Sequence, residues 1–153
     1  MKNIARKLLC SCLAAILLCL STVVPIVASD NSTVSSTVSP RYSHCASATI
    51  TFTVADPGTA HVGVTYYGYT DTFVQAKVTV QIQKRFLGLF WKTVDIGYTN
   101  DKWIAYSSDV NGYFYNTFTV DGTGTYRANF TLEITGSDGT VDVIDETIEK
   151  KYS

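Results

Sequence analysis

The sequence predicts an all-β protein, a two-layer antiparallel sandwich of seven main strands. Three observations carry this. From residue 46 onward the apolar residues recur with a period of two. β-branched and aromatic residues dominate the periodic runs, as strands prefer. Turn-forming clusters punctuate the chain every 8–14 residues, and no 3.6-residue pattern follows residue 30.

Three runs are unambiguous. Ala48, Ile50, Phe52 and Val54 alternate with Thr49, Thr51 and Thr53. Val74, Ala76, Val78, Val80 and Ile82 alternate with Gln75, Lys77, Thr79, Gln81 and Gln83. Tyr126, Ala128, Phe130, Leu132 and Ile134 alternate with Arg127, Asn129, Thr131, Glu133 and Thr135. Each run has one face for a core and one for water. Val62, Val64 and Tyr66 mark a strand at about 60–69. Phe90, Lys92, Val94, Ile96 and Tyr98 share a face at about 90–99, and Phe114, Asn116, Phe118 and Val120 at about 113–120. Val141 to Ile148 closes the series. The stretch Lys102 to Val110 has room for one short extra strand. The breaks are Asp56-Pro57-Gly58, Thr99-Asn100-Asp101, Asn111-Gly112, Asp121-Gly122-Thr123-Gly124 and Gly136-Ser137-Asp138-Gly139.

The segment before these strands reads differently. Lys2, Arg6 and Lys7 precede an uncharged run from Leu8 to Leu20, then Pro25, then the small residues Ala28 and Ser29. That order is the order of a secretory signal peptide, residues 1–29, with cleavage after Ser29 or Ala28. An uncleaved anchor over Leu8 to Ala28 is the alternative, since 21 residues suffice to span a bilayer. With cleavage the mature form does not span a membrane. Residues 30–45 read as a linker, because seven of the fifteen residues 30–44 are Ser or Thr. The expected organisation is signal peptide 1–29, linker 30–45 and sandwich 46–150.

The run Gly124-Thr125-Tyr126-Arg127-Ala128 resembles the Gly-x-Tyr-x-Cys stretch of immunoglobulin-like domains. The resemblance implies that Tyr126 turns back to bond the preceding loop, a tyrosine corner. Ala128 stands where those domains carry cysteine. The chain is therefore similar to the immunoglobulin-like and fibronectin-like sandwiches that have no internal disulfide. The signal segment, Ser39-Pro40-Arg41-Tyr42-Ser43, the Gln-Lys hairpin leading to Trp91 and Gly-Thr-Tyr-Arg together resemble small, uncharacterised secreted proteins of Gram-positive bacteria. That likeness implies export and fold, and nothing about chemistry.

Charge and cysteine content exclude several roles. The 153 residues carry a net charge of −1. Removing the cations of residues 1–29 leaves nine Lys+Arg against thirteen Asp+Glu, a net −4. Nucleic acid is not an expected partner, since phosphate binding needs clustered cations. Cys10, Cys12 and Cys19 fall in the signal segment, leaving Cys45 with no internal partner. It is then a free thiol or a bridge between two chains, a possible dimer contact.

Few residues carry chemistry. His44 and His61 are the two histidines, too few to build a zinc site, and a Cys45/His61 dyad lacks a third orienting group. Asp109-Val110-Asn111-Gly112 reads as a turn, because the oxygen ligands of a calcium loop are missing. Asp142, Asp145, Glu146 and Glu149 would suit a hydrolase only if two of them faced each other across a cleft. No cofactor, metal site or catalytic residue is expected, and the protein reads as non-catalytic.

Arg85-Phe86-Leu87-Gly88-Leu89-Phe90-Trp91-Lys92 stands out. It falls where a polar hairpin turn belongs. Either Trp91 and its neighbours fold inward and close one end of the sandwich, or Phe86, Leu87, Leu89 and Phe90 remain outside. In the second case Arg85, Phe86, Leu87, Leu89 and Phe90 form a contact tip for a protein, a cell-surface partner or a bilayer. Tyr66, Tyr67, Tyr69, Tyr113 and Tyr115 form a second aromatic set, suited to stacking on sugars; alternation should bury about half of them. The expected role is a secreted or surface-associated binding module.

Overall fold

The structure is a computed structural model that describes residues 34–38 and 42–153. The signal peptide read over 1–29 lies outside the described residues. Nine strands are present among those described: β1 (Val34–Val38), β2 (Cys45–Ala55), β3 (Thr59–Gly68), β4 (Phe73–Phe86), β5 (Phe90–Thr93), β6 (Trp103–Ser107), β7 (Asn111–Thr119), β8 (Gly124–Gly136) and β9 (Val141–Tyr152). One antiparallel sheet has the order β1-β2-β3-β7. The other has the order β5-β4-β8-β9, with β6 also pairing with β4. β6 lies along the first half of β4, at Ala76–Val80, and β5 along its end, at Gln83–Phe86. The protein is a β-sandwich.

The period of two does what it should. Ile50, Phe52, Val62, Val64, Val78, Val80, Ile82, Phe130, Leu132 and Ile134 are all within 1% of complete burial, between the two sheets. Each such side chain contributes on the order of 1.5–3 kcal/mol by leaving water. No disulfide is needed for a core of this size. Tyr126 joins it: its ring is buried, and its hydroxyl donates to the carbonyls of Asp121 (2.6 Å) and Gly122 (2.7 Å). The loop before β8 is thereby tied to the first turn of the strand.

Several expectations need correction. The stretch 30–45 contains a strand, because β1 pairs with Ala48–Phe52 of β2. Val74 is exposed, since a register shift between Phe73 and Gln75 turns it out of the alternation. The strand expected over 90–99 stops at Thr93. Beyond it Gly97 takes a positive φ and donates its N–H to the Asp95 carboxylate (2.8 Å), which makes a turn. Asn111-Gly112 is not a turn but the start of β7. Gly112 is there because the Tyr66 ring occupies the space a Cβ would need. The core tryptophan is Trp103 of β6, edge-on to Phe118, and not Trp91.

His44 and Cys45, expected at the end of the linker, are both buried. The Asp142 carboxylate accepts the N–H groups of Ser43 (3.2 Å), His44 (2.6 Å) and Cys45 (3.1 Å). This clamps the entry of β2 in the first sheet to β9 in the second. The His44 ring lies where a Gly136 side chain would be, with Nε2 2.7 Å from the Thr140 hydroxyl and 3.4 Å from the Asp138 carboxylate. Cys45 is 1% exposed, and its thiol donates to the Ser47 carbonyl (3.4 Å). Burial, with the nearby Asp142 charge, pushes that thiol up to about 11. A bridge between two chains would require this strand end to open.

Candidate functional site

The hairpin joining β4 and β5 overhangs the sheet. β4 stops pairing with β8 at Lys84↔Tyr126, yet continues to Arg85 and Phe86, which pair only with Trp91 and Phe90. The tip therefore has no neighbouring strand to cover it. Phe86 is 57% exposed, Leu87 76%, Leu89 76% and Phe90 65%. Soluble surfaces carry scattered apolar residues as a matter of course, but four large ones at one convex point form a patch. Of the two readings of this segment, inward closure and exposure, the structure gives exposure.

The turn itself is built against preference. Leu87 (φ 50°) and Gly88 (φ 71°) both have positive φ, and the Leu89 N–H donates to the Phe86 carbonyl (3.1 Å). Glycine takes that conformation freely. A leucine takes it at a cost of about 1–2 kcal/mol. Leu87 is thus an exposed apolar side chain on a strained backbone.

Below the tip sits a collar of cations and one aromatic ring. Trp91 lies on the outer face of the sheet, its ring within cation–π reach of the guanidinium groups of Arg85 (5.4 Å from its centroid) and Arg127 (4.3 Å). Arg127 is itself fixed, because its Nε donates to Gln83 Oε1 (2.7 Å), which also accepts from Asn129 Nδ2 (3.2 Å). Lys84 donates to the Asp121 carbonyl and stands over the Tyr126 ring (5.3 Å). Arg127 and Gln83 were not among the candidates. The sole sequence signal for them is outward parity on β8 and β4, which every second residue shares.

The second aromatic set lies on the other sheet. Only Tyr66 of the five tyrosines is buried, where half were expected. It donates to the Asp109 carbonyl (2.9 Å). Tyr113 and Tyr115 stack on the outer face with centroids 6.0 Å apart. The Tyr115 hydroxyl is 2.7 Å from His61 Nδ1. Thr51, Thr53, His61, Tyr115 and Lys150 line a shallow cleft of about 430 Å³ beside them.

Other candidates are not brought together. Cys45 begins β2, while His61 pairs with Thr53, eight residues further along that strand. At about 3.3 Å per residue the two are roughly 26 Å apart, so no dyad exists. On β9, alternation puts Asp142 and Glu146 on one face and Asp145 and Glu149 on the other. Asp142 is occupied by three backbone N–H groups, and Asp145 accepts from the Thr131 hydroxyl (2.6 Å). Two carboxylates facing across a cleft, as glycoside hydrolysis requires, are not formed by these four. Among the described residues, no group of three or more His, Cys, Asp or Glu is placed to hold a metal ion. Compared with models of known protein families and with curated proteins, the sequence matches none.

Proposed function

We propose that this chain is a non-catalytic interaction module of the immunoglobulin-like kind, acting outside the cell or at its surface, with the hairpin 85–92 as its contact element. One observation carries the reading. Phe86, Leu87, Leu89 and Phe90 are each more than half exposed on a tip that overhangs the sheet. Covering two such side chains would contribute about 3–6 kcal/mol gross, enough for reversible docking. The strand order supports the immunoglobulin-like assignment. β2-β3-β7 and β4-β8-β9 form the two layers, and the edge of β4 is covered by β5 and β6. The Tyr126 bonds to Asp121 and Gly122 support it too. Export rests on the order of residues 1–29.

The experiment is a thermal melt of Leu87→Ser with Leu89→Ser. The contact reading expects a melting temperature within about 2 °C of the native chain, because surface changes away from special features stay within about ±0.5 kcal/mol. A drop of many degrees would show that these side chains serve the core, and the reading would fall. A second reading, glycan binding, is favoured by one observation only, the outward-facing stack of Tyr113, Tyr115 and His61. A glycan array without hits would remove it.

A further inference from the structure

We propose that the surface the hairpin docks on is an anionic phospholipid bilayer. The proposal rests on the contact reading above and names its partner. Side chains along the hairpin are graded by polarity in the order a leaflet is layered. Leu87 and Leu89 are outermost. Phe86 and Phe90, paired across the hairpin, come next. Trp91 follows, paired with Arg85 and in cation–π contact with Arg127. Tryptophan favours the boundary between hydrocarbon and headgroups, with cations at headgroup level.

Charge points the same way. Residues 84–92 contain Lys84, Arg85 and Lys92 and no acidic residue, in a chain whose net charge is −1. The cations are concentrated beside the apolar tip, complementary to a negative surface. Shape argues against a protein partner. Four side chains exposed to this extent present on the order of 500 Å². A standard protein interface needs about 800 Å² per partner with close complementarity. A convex tip meets neither demand, whereas a fluid leaflet closes around a protrusion of any shape.

Trp91 is the reporter. The full chain is mixed with vesicles of phosphatidylcholine alone or with phosphatidylglycerol, each doped with a bromine-labelled acyl lipid. The Trp91 signal is the native emission minus that of Trp91→Phe, which keeps the buried Trp103. The apolar segment 8–28 is common to every chain, so it alters how much protein is bound without creating a Trp91 difference. On anionic vesicles the Trp91 emission should shift to the blue and be quenched by bromine. Leu87→Ser with Leu89→Ser should abolish both effects. Lys92→Gln should raise the lipid concentration for half-quenching about fivefold, the equivalent of the roughly 1 kcal/mol a cation contributes near such a surface. Unchanged Trp91 emission on vesicles, or equal quenching on neutral and anionic ones, would overturn the proposal. If the Ser variant melts like the native chain and Trp91 still ignores lipid, the contact element stands and its partner is a protein. If the Ser variant melts far lower, the contact reading itself has failed.

Discussion

The two ends of β4 treat side chains in opposite ways. Near Phe73, polar groups are inside. His44 is 3% exposed, the Asp142 carboxylate gathers three backbone N–H groups, and Gly136 leaves room for the imidazole. Near Phe86, large apolar groups are outside. The first arrangement is costly unless partners are supplied, and the fold supplies them for the Asp142 carboxylate and His44 Nε2, while His44 Nδ1 is buried without a hydrogen-bond partner among the described residues. The second has no such compensation within the fold. Burial of polar groups with partners is a means of building the molecule; exposure of apolar groups on a strained turn is not. The difference locates structure at one end and contact at the other.

The comparison breaks most readily at the polar end. Gly136→Ala should cost about 3 kcal/mol, because its Cβ would overlap the His44 ring in a packed corner. Denaturant unfolding of Gly136→Ala, His44→Ala and the double variant checks this. The double variant should recover much of the loss, since the two residues compete for one space. If the losses simply add, His44 does not hold that corner.

Asp142→Asn should cost about 2 kcal/mol. Only a carboxylate accepts all three N–H groups with charge assistance, and an amide presents donors of its own to the same groups. Hydrogen exchange should localise the effect: the amides of Ser43, His44 and Cys45 should lose protection before those of β8.

Most of this fold is legible in the sequence, and the rest fails for one reason. Beyond the register shifts at the starts of β2 and β4, those strands and β8 alternate because each has a dry and a wet face. β6 does not, since Ile104 and Tyr106 are apolar and exposed while Trp103 is apolar and buried. Which tryptophan faces inward depends on how β5 and β6 register against β4, which no local pattern states. The burial of His44 depends on Asp142 and Gly136, more than ninety residues away. The exposure of the tip depends on where β8 stops pairing, at Tyr126. Local periodicity specifies a strand; long-range register specifies what its ends meet.

A smaller effect tests burial at the polar end through pH. The Cys45 thiol has its pKa raised by desolvation first and by the Asp142 carboxylate second, to about 11. The folded state therefore holds this proton more tightly than the unfolded state. The contribution is fully present below about pH 9 and is lost as pH rises toward 11. It amounts to about 1 kcal/mol by pH 10 after allowance for solvent screening. Tyr66 and Tyr152 shift in the same direction, so the comparison is with Cys45→Ala over the same range. The native chain should lose stability more steeply there. Parallel curves would mean that the thiol ionises freely.

The smallest expected effect has the opposite sign and lies at the hairpin. Leu87→Gly removes a side chain from a backbone at φ 50°. Relief of the left-handed conformation is worth about 1–2 kcal/mol. The greater freedom of glycine in the unfolded chain takes back roughly 0.5–1 kcal/mol. The net is a gain of about 0.5 kcal/mol, measurable by denaturant unfolding. A stabilising substitution at an apolar position as exposed as Leu87 means that the native residue is kept for something other than folding. Loss of stability on Leu87→Gly would instead make the leucine a folding residue, and the contrast between the two ends of β4 would disappear.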